Sequence, residues 1–129
     1  MLQVLEAGRL LPEKIFSRKK PGKGVKYMQL LTKEITTKLP FLYTQEDEED
    51  PLVICKFFTA WTKWTWYAIE FDGKDTFFGY VVGHEPELGY FTLSELQSLK
   101  GPMGLSIERD MYFRPCRLSE IKKLHEPEI

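Results

Sequence analysis

The side chains of this chain that could carry chemistry are carboxylates. Glu70, Asp72, Asp75, Glu85, Glu87, Glu108 and Asp110 fall in or beside strand-like runs. Carboxylates that converge from neighbouring strands hold Mg²⁺ or Mn²⁺, and such ions drive phosphodiester cleavage. Strict alternation along WTWYAIEFD puts Trp64, Trp66, Ala68 and Glu70 on one side, with Thr65, Tyr67, Ile69 and Phe71 on the other. Asp72 continues the side of Glu70. Glu70, Asp72, Glu108 and Asp110 are therefore the candidate ligands and catalytic groups of a metal-dependent nuclease. Against that stands local chemistry. Asp72 and Asp75 flank a glycine turn, where aspartate serves nearby backbone N–H groups. The solvated, structural reading outweighs the catalytic one, so no cofactor is expected, and Mg or Mn belongs to the alternative.

Other groups give weaker signals. His84 sits in the turn His84-Glu85-Pro86-Glu87 and has a pKa suited to a general base, but no HExxH spacing surrounds it. The run Glu46 to Asp50 is rich in oxygen ligands but lacks the alternation and central glycine of an EF-hand. It is expected to be an exposed, mobile loop, because like charges in a row repel. Arg109, between Glu108 and Asp110, can clamp a carboxylate or phosphate. A structural ion pair anchoring the loop GPMGLS is the favoured role. Aromatic residues are too many for one core face, and Trp61 and Trp64, flanking Lys63, are expected at the surface. No Gly-rich phosphate loop, catalytic triad order or zinc spacing is present.

These groups need a scaffold, and the segment from Trp61 to Phe91 supplies it. Aromatic and β-branched residues interrupted by turn residues predict an antiparallel β-meander. Strands are expected over 52–58, 64–72, 76–82 and 88–91, with an edge strand over 110–114. The DGKD turn closes a hairpin. Gly79 marks a bulge, or a place where an indole crosses the backbone. Thr32 caps a short helix that Pro40 stops, Thr92 and Glu95 form a capping box, and LSEIKKLH forms a last helix. The fold class expected is α+β: a small antiparallel β-meander of four to five strands packed with two to three short helices.

The chain's 129 residues, 43% of them hydrophobic, suit one domain with a real core. Charge is unevenly spread. Residues 1–27 carry seven basic and two acidic side chains, whereas residues 28–129 carry 11 basic and 17 acidic. An acidic body is a poor non-specific partner for nucleic acid. Residues 1–27 read as a flexible basic extension, and residues 28–129 as a single domain. The extension is expected to lie upstream of the true start; a nucleic-acid-binding arm is the alternative. Cys55 and Cys116 lack metal-ligand spacing and predict reduced thiols in a cytoplasmic protein. No apolar run approaches the roughly 18 residues of a membrane span.

The runs LLTKEITTKLP, DPLVICKFFT, WTWYAIEFDG, FFGYVVGHEPELGYFTLSEL, GPMGLSIERDMYF and LSEI, over residues 28–121, carry a resemblance. In order and spacing they resemble the domain-of-unknown-function 2958 family of small bacterial proteins. The resemblance implies carriage on a plasmid, conjugative element or prophage. It implies no established activity, although some look-alikes carry the label single-stranded DNA endonuclease. The expected function is a non-enzymatic accessory domain that binds a host or element-encoded protein through an acidic, aromatic surface. The candidate binding residues are Trp61, Trp64, Glu70, Glu85, Glu87, Tyr90 and Arg109. The alternatives are a metal-dependent single-stranded DNA endonuclease and a nucleic-acid binder using the basic arm. A monomer or homodimer is expected, with 88–91 or 110–114 as possible pairing edges.

Overall fold

A computed structural model describes residues 29–126. The expectations for residues 1–27 lie outside that span. Along it run helix α1 (Lys33–Lys38), strands β1 (Leu52–Val53), β2 (Cys55–Phe58), β3 (Thr65–Phe71), β4 (Thr76–Val82) and β5 (Pro86–Thr92), then helix α2 (Leu93–Ser98), strands β6 (Glu108–Arg109) and β7 (Cys116–Arg117), and helix α3 (Leu118–His125). Five strands form an antiparallel sheet in the order β5-β4-β3-β2-β6, and β1 pairs with β7 in a small second sheet. The α+β class expected from the sequence is the fold observed.

Local chemistry sets the boundaries of the elements. Thr32 caps α1 by accepting the Ile35 N–H at 3.2 Å, and Thr92 caps α2 by accepting the Glu95 N–H at 3.1 Å. In the β3–β4 turn one oxygen of Asp72 accepts the N–H groups of Lys74, Asp75 and Thr76 at 2.8, 2.8 and 3.0 Å. Burial alone would raise the Asp72 carboxyl, but these three bonds outweigh it and hold its pKa below the ordinary value. Gly73 takes φ +81° in that turn, a conformation that costs glycine nothing. Asp75 then ties the turn to α2, accepting the N–H and hydroxyl of Ser94 at 2.8 and 2.7 Å.

The sheet is buried on both faces along β3, all seven of whose residues are buried. Trp66, Ala68, Phe71, Phe77 and Phe91 pack on one face with Leu96 of α2, with Leu99 just after it and with the flanks of α1. Val53, Tyr67, Ile69 and Tyr80 pack on the other with Leu118 and Ile121 of α3. Burying each large side chain contributes roughly 1.5–3 kcal/mol.

The structure corrects several expectations. The pairing of β3 with β4 slips between Ala68 and Glu70, so the bulge is on β3, opposite Gly79 rather than at it. The extra residue puts Ile69 and Glu70 on the same face and sends Phe71 to the tryptophan face. Strict alternation therefore fails after Ile69. Gly79 is required all the same, because a Cβ there would lie 1.9 Å from the Tyr67 carbonyl oxygen. The expected strand 52–58 breaks at Ile54 into β1 and β2. The expected edge strand over 110–114 is absent; the edge is Glu108–Arg109, and a turn follows in which the Phe113 N–H reaches the Asp110 carbonyl at 3.3 Å.

Both tryptophans expected at the surface are packed. Trp64 is only 6% exposed: it stacks on Trp66 at 5.8 Å and lies across Gly83. Trp61 is half-buried against Gly101. In both places the glycine's missing side chain is what lets a flat indole settle on the backbone.

Candidate functional site

Helix α3 covers only part of its face of the sheet. Beside it the sheet floor stays open as a cleft of about 400 Å³. The floor is Ile69 and Glu70 of β3, Phe78 of β4, and Leu88 and Tyr90 of β5. One wall is the loop that carries Tyr43, Gln45, Glu46, Glu48, Glu49 and Pro51; the other is Leu118 and Lys122 of α3.

Pairing brings the floor together. Glu70 lies opposite Phe78, and Phe78 lies opposite Tyr90, so the three form one row across the sheet. Phe78 and Tyr90 meet edge-to-face at 5.2 Å, and the Tyr43 ring closes over Tyr90 at 6.5 Å. Burial, followed by the hydrogen bond with Tyr43, pushes the Tyr90 hydroxyl up to about 12, so it stays protonated.

The acidic loop is exposed, as expected, but it is tied at both ends. Glu70 is 4% exposed and accepts the backbone N–H groups of Tyr43 and Gln45 at 3.0 and 2.7 Å. At the far end Asp50 accepts the N–H and hydroxyl of Ser119 at 2.8 and 2.7 Å, bonds that lower its pKa. Asp50 thereby supplies the N-terminal partner that Arg117, the residue before α3, lacks. Between these anchors Glu46, Glu48 and Glu49 stand at the rim. Four glutamates and one lysine line the cleft, so its field is negative.

Of the expected binding residues, the cleft gathers Glu70 and Tyr90. Glu85 is exposed in the β4–β5 turn, and Glu87 pairs with Val81, away from the floor. Arg109 holds the start of the described chain. Its guanidinium donates to the carbonyls of Gln29 and Leu30 at 2.6 and 2.8 Å, tying the start of the described chain to β6. Trp61 and Trp64 serve packing, and the buried Trp61 indole nitrogen meets no acceptor among the described residues. His84 packs edge-on against Trp64 at 5.7 Å.

The four carboxylates of the nuclease reading are not brought together. Glu70 holds the loop, Asp72 holds the hairpin turn, Glu108 pairs with Phe58, and Asp110 lies 3.7 Å from the Lys56 ammonium. Among the described residues no three His, Cys, Asp or Glu side chains are grouped as a metal site requires. A second polar group, unanticipated from the sequence, joins Tyr67 to His125 at 2.8 Å and Tyr80 to Glu126. The cleft residues Tyr43, Phe78, Leu88 and Lys122 also escaped sequence reasoning. The run of acids and the candidates Glu70 and Tyr90 signalled this site separately, and neither revealed that they would face one another.

Fold and site thus define a small α+β domain with a negatively charged, aromatic cleft on one sheet face. The chain belongs to the family described as protein of unknown function (DUF2958), whose model matches residues 30–125. Neither the curated proteins nor the solved structures give a match. Among the described residues no helix is long and apolar enough to cross a membrane.

Proposed function

We propose that this protein is a non-enzymatic accessory domain, carried by a bacterial mobile element and acting in the cytoplasm, that binds a basic segment of a host or element-encoded protein in the cleft. The observation that carries this reading is the cleft itself: tyrosine and phenylalanine rings on the floor, with Glu46, Glu48 and Glu49 above them. Lysine and arginine side chains suit such a place. Their alkyl or planar parts lie on rings while carboxylates meet the charge. Binding through mixed aromatic and charged contacts also suits the modest size of the cleft.

The test is titration of the full chain with a fluorescent arginine-rich peptide and with a glutamate-rich control, at about 0.15 M salt, where surface charges are screened beyond roughly 8 Å. Saturable binding of the basic peptide alone is expected. Tyr90→Ala, and the pair Glu46→Lys with Glu49→Lys, should each weaken it about tenfold or more, which is about 1.4 kcal/mol. Equal affinity in all variants would overturn the reading. Cleavage of a single-stranded oligonucleotide with Mn²⁺, abolished by Asp72→Ala, would replace it with the nuclease.

A further inference from the structure

The cleft floor runs out to an open sheet edge. Strand β5 is the last strand of the five-stranded sheet, and all seven of its residues pair with β4 without a register break. Among the described residues no strand and no backbone hydrogen bond occupies its outer side. The other edge, β6, is only two residues long, and the Asp110 N–H then closes onto the Lys56 carbonyl at 2.9 Å. Proteins usually protect a long edge with lysine, a bulge or a covering element. The sequence PELGYFT has no lysine or arginine, its pairing has no bulge, and α2 packs on the opposite face through Leu96, with Leu99 following it there. Pro86 blunts only the first position.

Leu88 and Tyr90 stand on this edge strand and face the cleft, so edge and cleft form one surface. We infer that the partner's basic segment docks as an extended sixth strand alongside β5, placing alternate cationic side chains over Tyr90 and beneath the acidic rim. The inference rests on the reading of the cleft as a binding site for a basic segment. A guest strand would lie about 4.8 Å from β5, and every second side chain would continue the row Glu70, Phe78, Tyr90. A cation opposite Tyr90 enters a position where the charges of Glu70 and Glu46 are both felt. Charge also selects the guest. A second copy pairing through β5 would bring together two acidic rims, each on a body with 11 basic and 17 acidic side chains over residues 28–129, whereas a basic strand neutralises the rim.

The experiment uses the full chain and a blocked peptide of alternating arginine and valine. Two further peptides carry N-methyl groups on alternate residues, one set along each edge of the extended peptide. Strand addition requires the amides of one edge only. One methylated peptide should bind as the parent does, and the other should lose about tenfold or more. Amide hydrogen exchange should slow at alternate positions within 86–92 when the parent binds. If both methylated peptides bind as the parent does and the β5 amides are unchanged, the strand geometry is wrong although the cleft still binds the peptide. If no basic peptide binds, both readings fall. Protection of β5 before any peptide is added, with no binding after, would mean that another copy or this chain's own leading segment holds the edge, which also overturns the proposal.

Discussion

Glu70 accepts a hydrogen bond from the Gln45 N–H at 2.7 Å, joining a central strand to a loop 25 positions earlier. With the second bond, from Tyr43, the buried carboxylate is the strut under the acidic wall. Glu70→Ala leaves two N–H groups without their charged acceptor and should cost roughly 2–4 kcal/mol. Glu70→Gln retains one acceptor oxygen and should cost less. Urea denaturation gives both values; unchanged midpoints would show that the strut carries no weight.

His125 titrates below its ordinary value. Burial, and then the charge of Lys56, lowers its pKa below 6.5, against an opposing contribution from Glu126. The unfolded chain therefore binds more protons than the native one between the native pKa and 6.5. Stability from this group is complete above 6.5 and declines as pH falls through that window. Protonation leaves both His125 ring nitrogens as donors, so the Tyr67 hydroxyl at 2.8 Å must then accept. An NMR titration should place the His125 midpoint below 6.5, and His125→Phe should flatten the decline in stability. A midpoint at or above 6.5 contradicts this.

Trp64 owes its position to Gly83. A Cβ at residue 83 would come within 2.3 Å of the indole. Gly83→Ala should push Trp64 away from Trp66 and cost roughly 1–3 kcal/mol. Loss of the near-ultraviolet circular dichroism of the stacked indoles is the readout. An unchanged spectrum would mean that the ring has room to spare.

Cys55 should be chemically silent. Burial pushes its thiol up to about 12, and thiolate is the reactive form. Cys116, half-buried, is raised in the same direction by burial and then by Glu120. A thiol reagent at neutral pH should modify Cys55 only at the rate of unfolding. Fast labelling of both thiols in the native protein would refute the packing described for β2.

Features set by neighbours in sequence were legible in it. Thr32, Thr92 and the Asp72 turn satisfy N–H groups within four residues of themselves, so their roles follow from local chemistry. The helix LSEIKKLH was legible through Leu118, Ile121 and Leu124, spaced three residues apart, of which the first two are buried and the last is exposed. Strands β6 and β7, of two residues each, are too short for any period to register. The cleft was legible only as two halves, an acidic run and an aromatic hairpin. Their union depends on Glu70 reaching back to Tyr43, and no pattern within either half encodes that contact. The side of Glu70 was misread for a related reason, since alternation is a rule about paired ladders and β3 carries one residue more than its partner.

That surplus residue, Ile69, decides where a negative charge resides. In an even ladder Glu70 would point in among Trp66, Phe77 and Phe91, where an ionised carboxylate without partners is costly enough to forbid the fold. Shifted by one position, the same side chain meets two waiting amides. Deleting residue 69 would therefore leave the acid on its present side at the cost of one apolar contact, whereas straightening the ladder with Ile69 kept would drive a charge into oil.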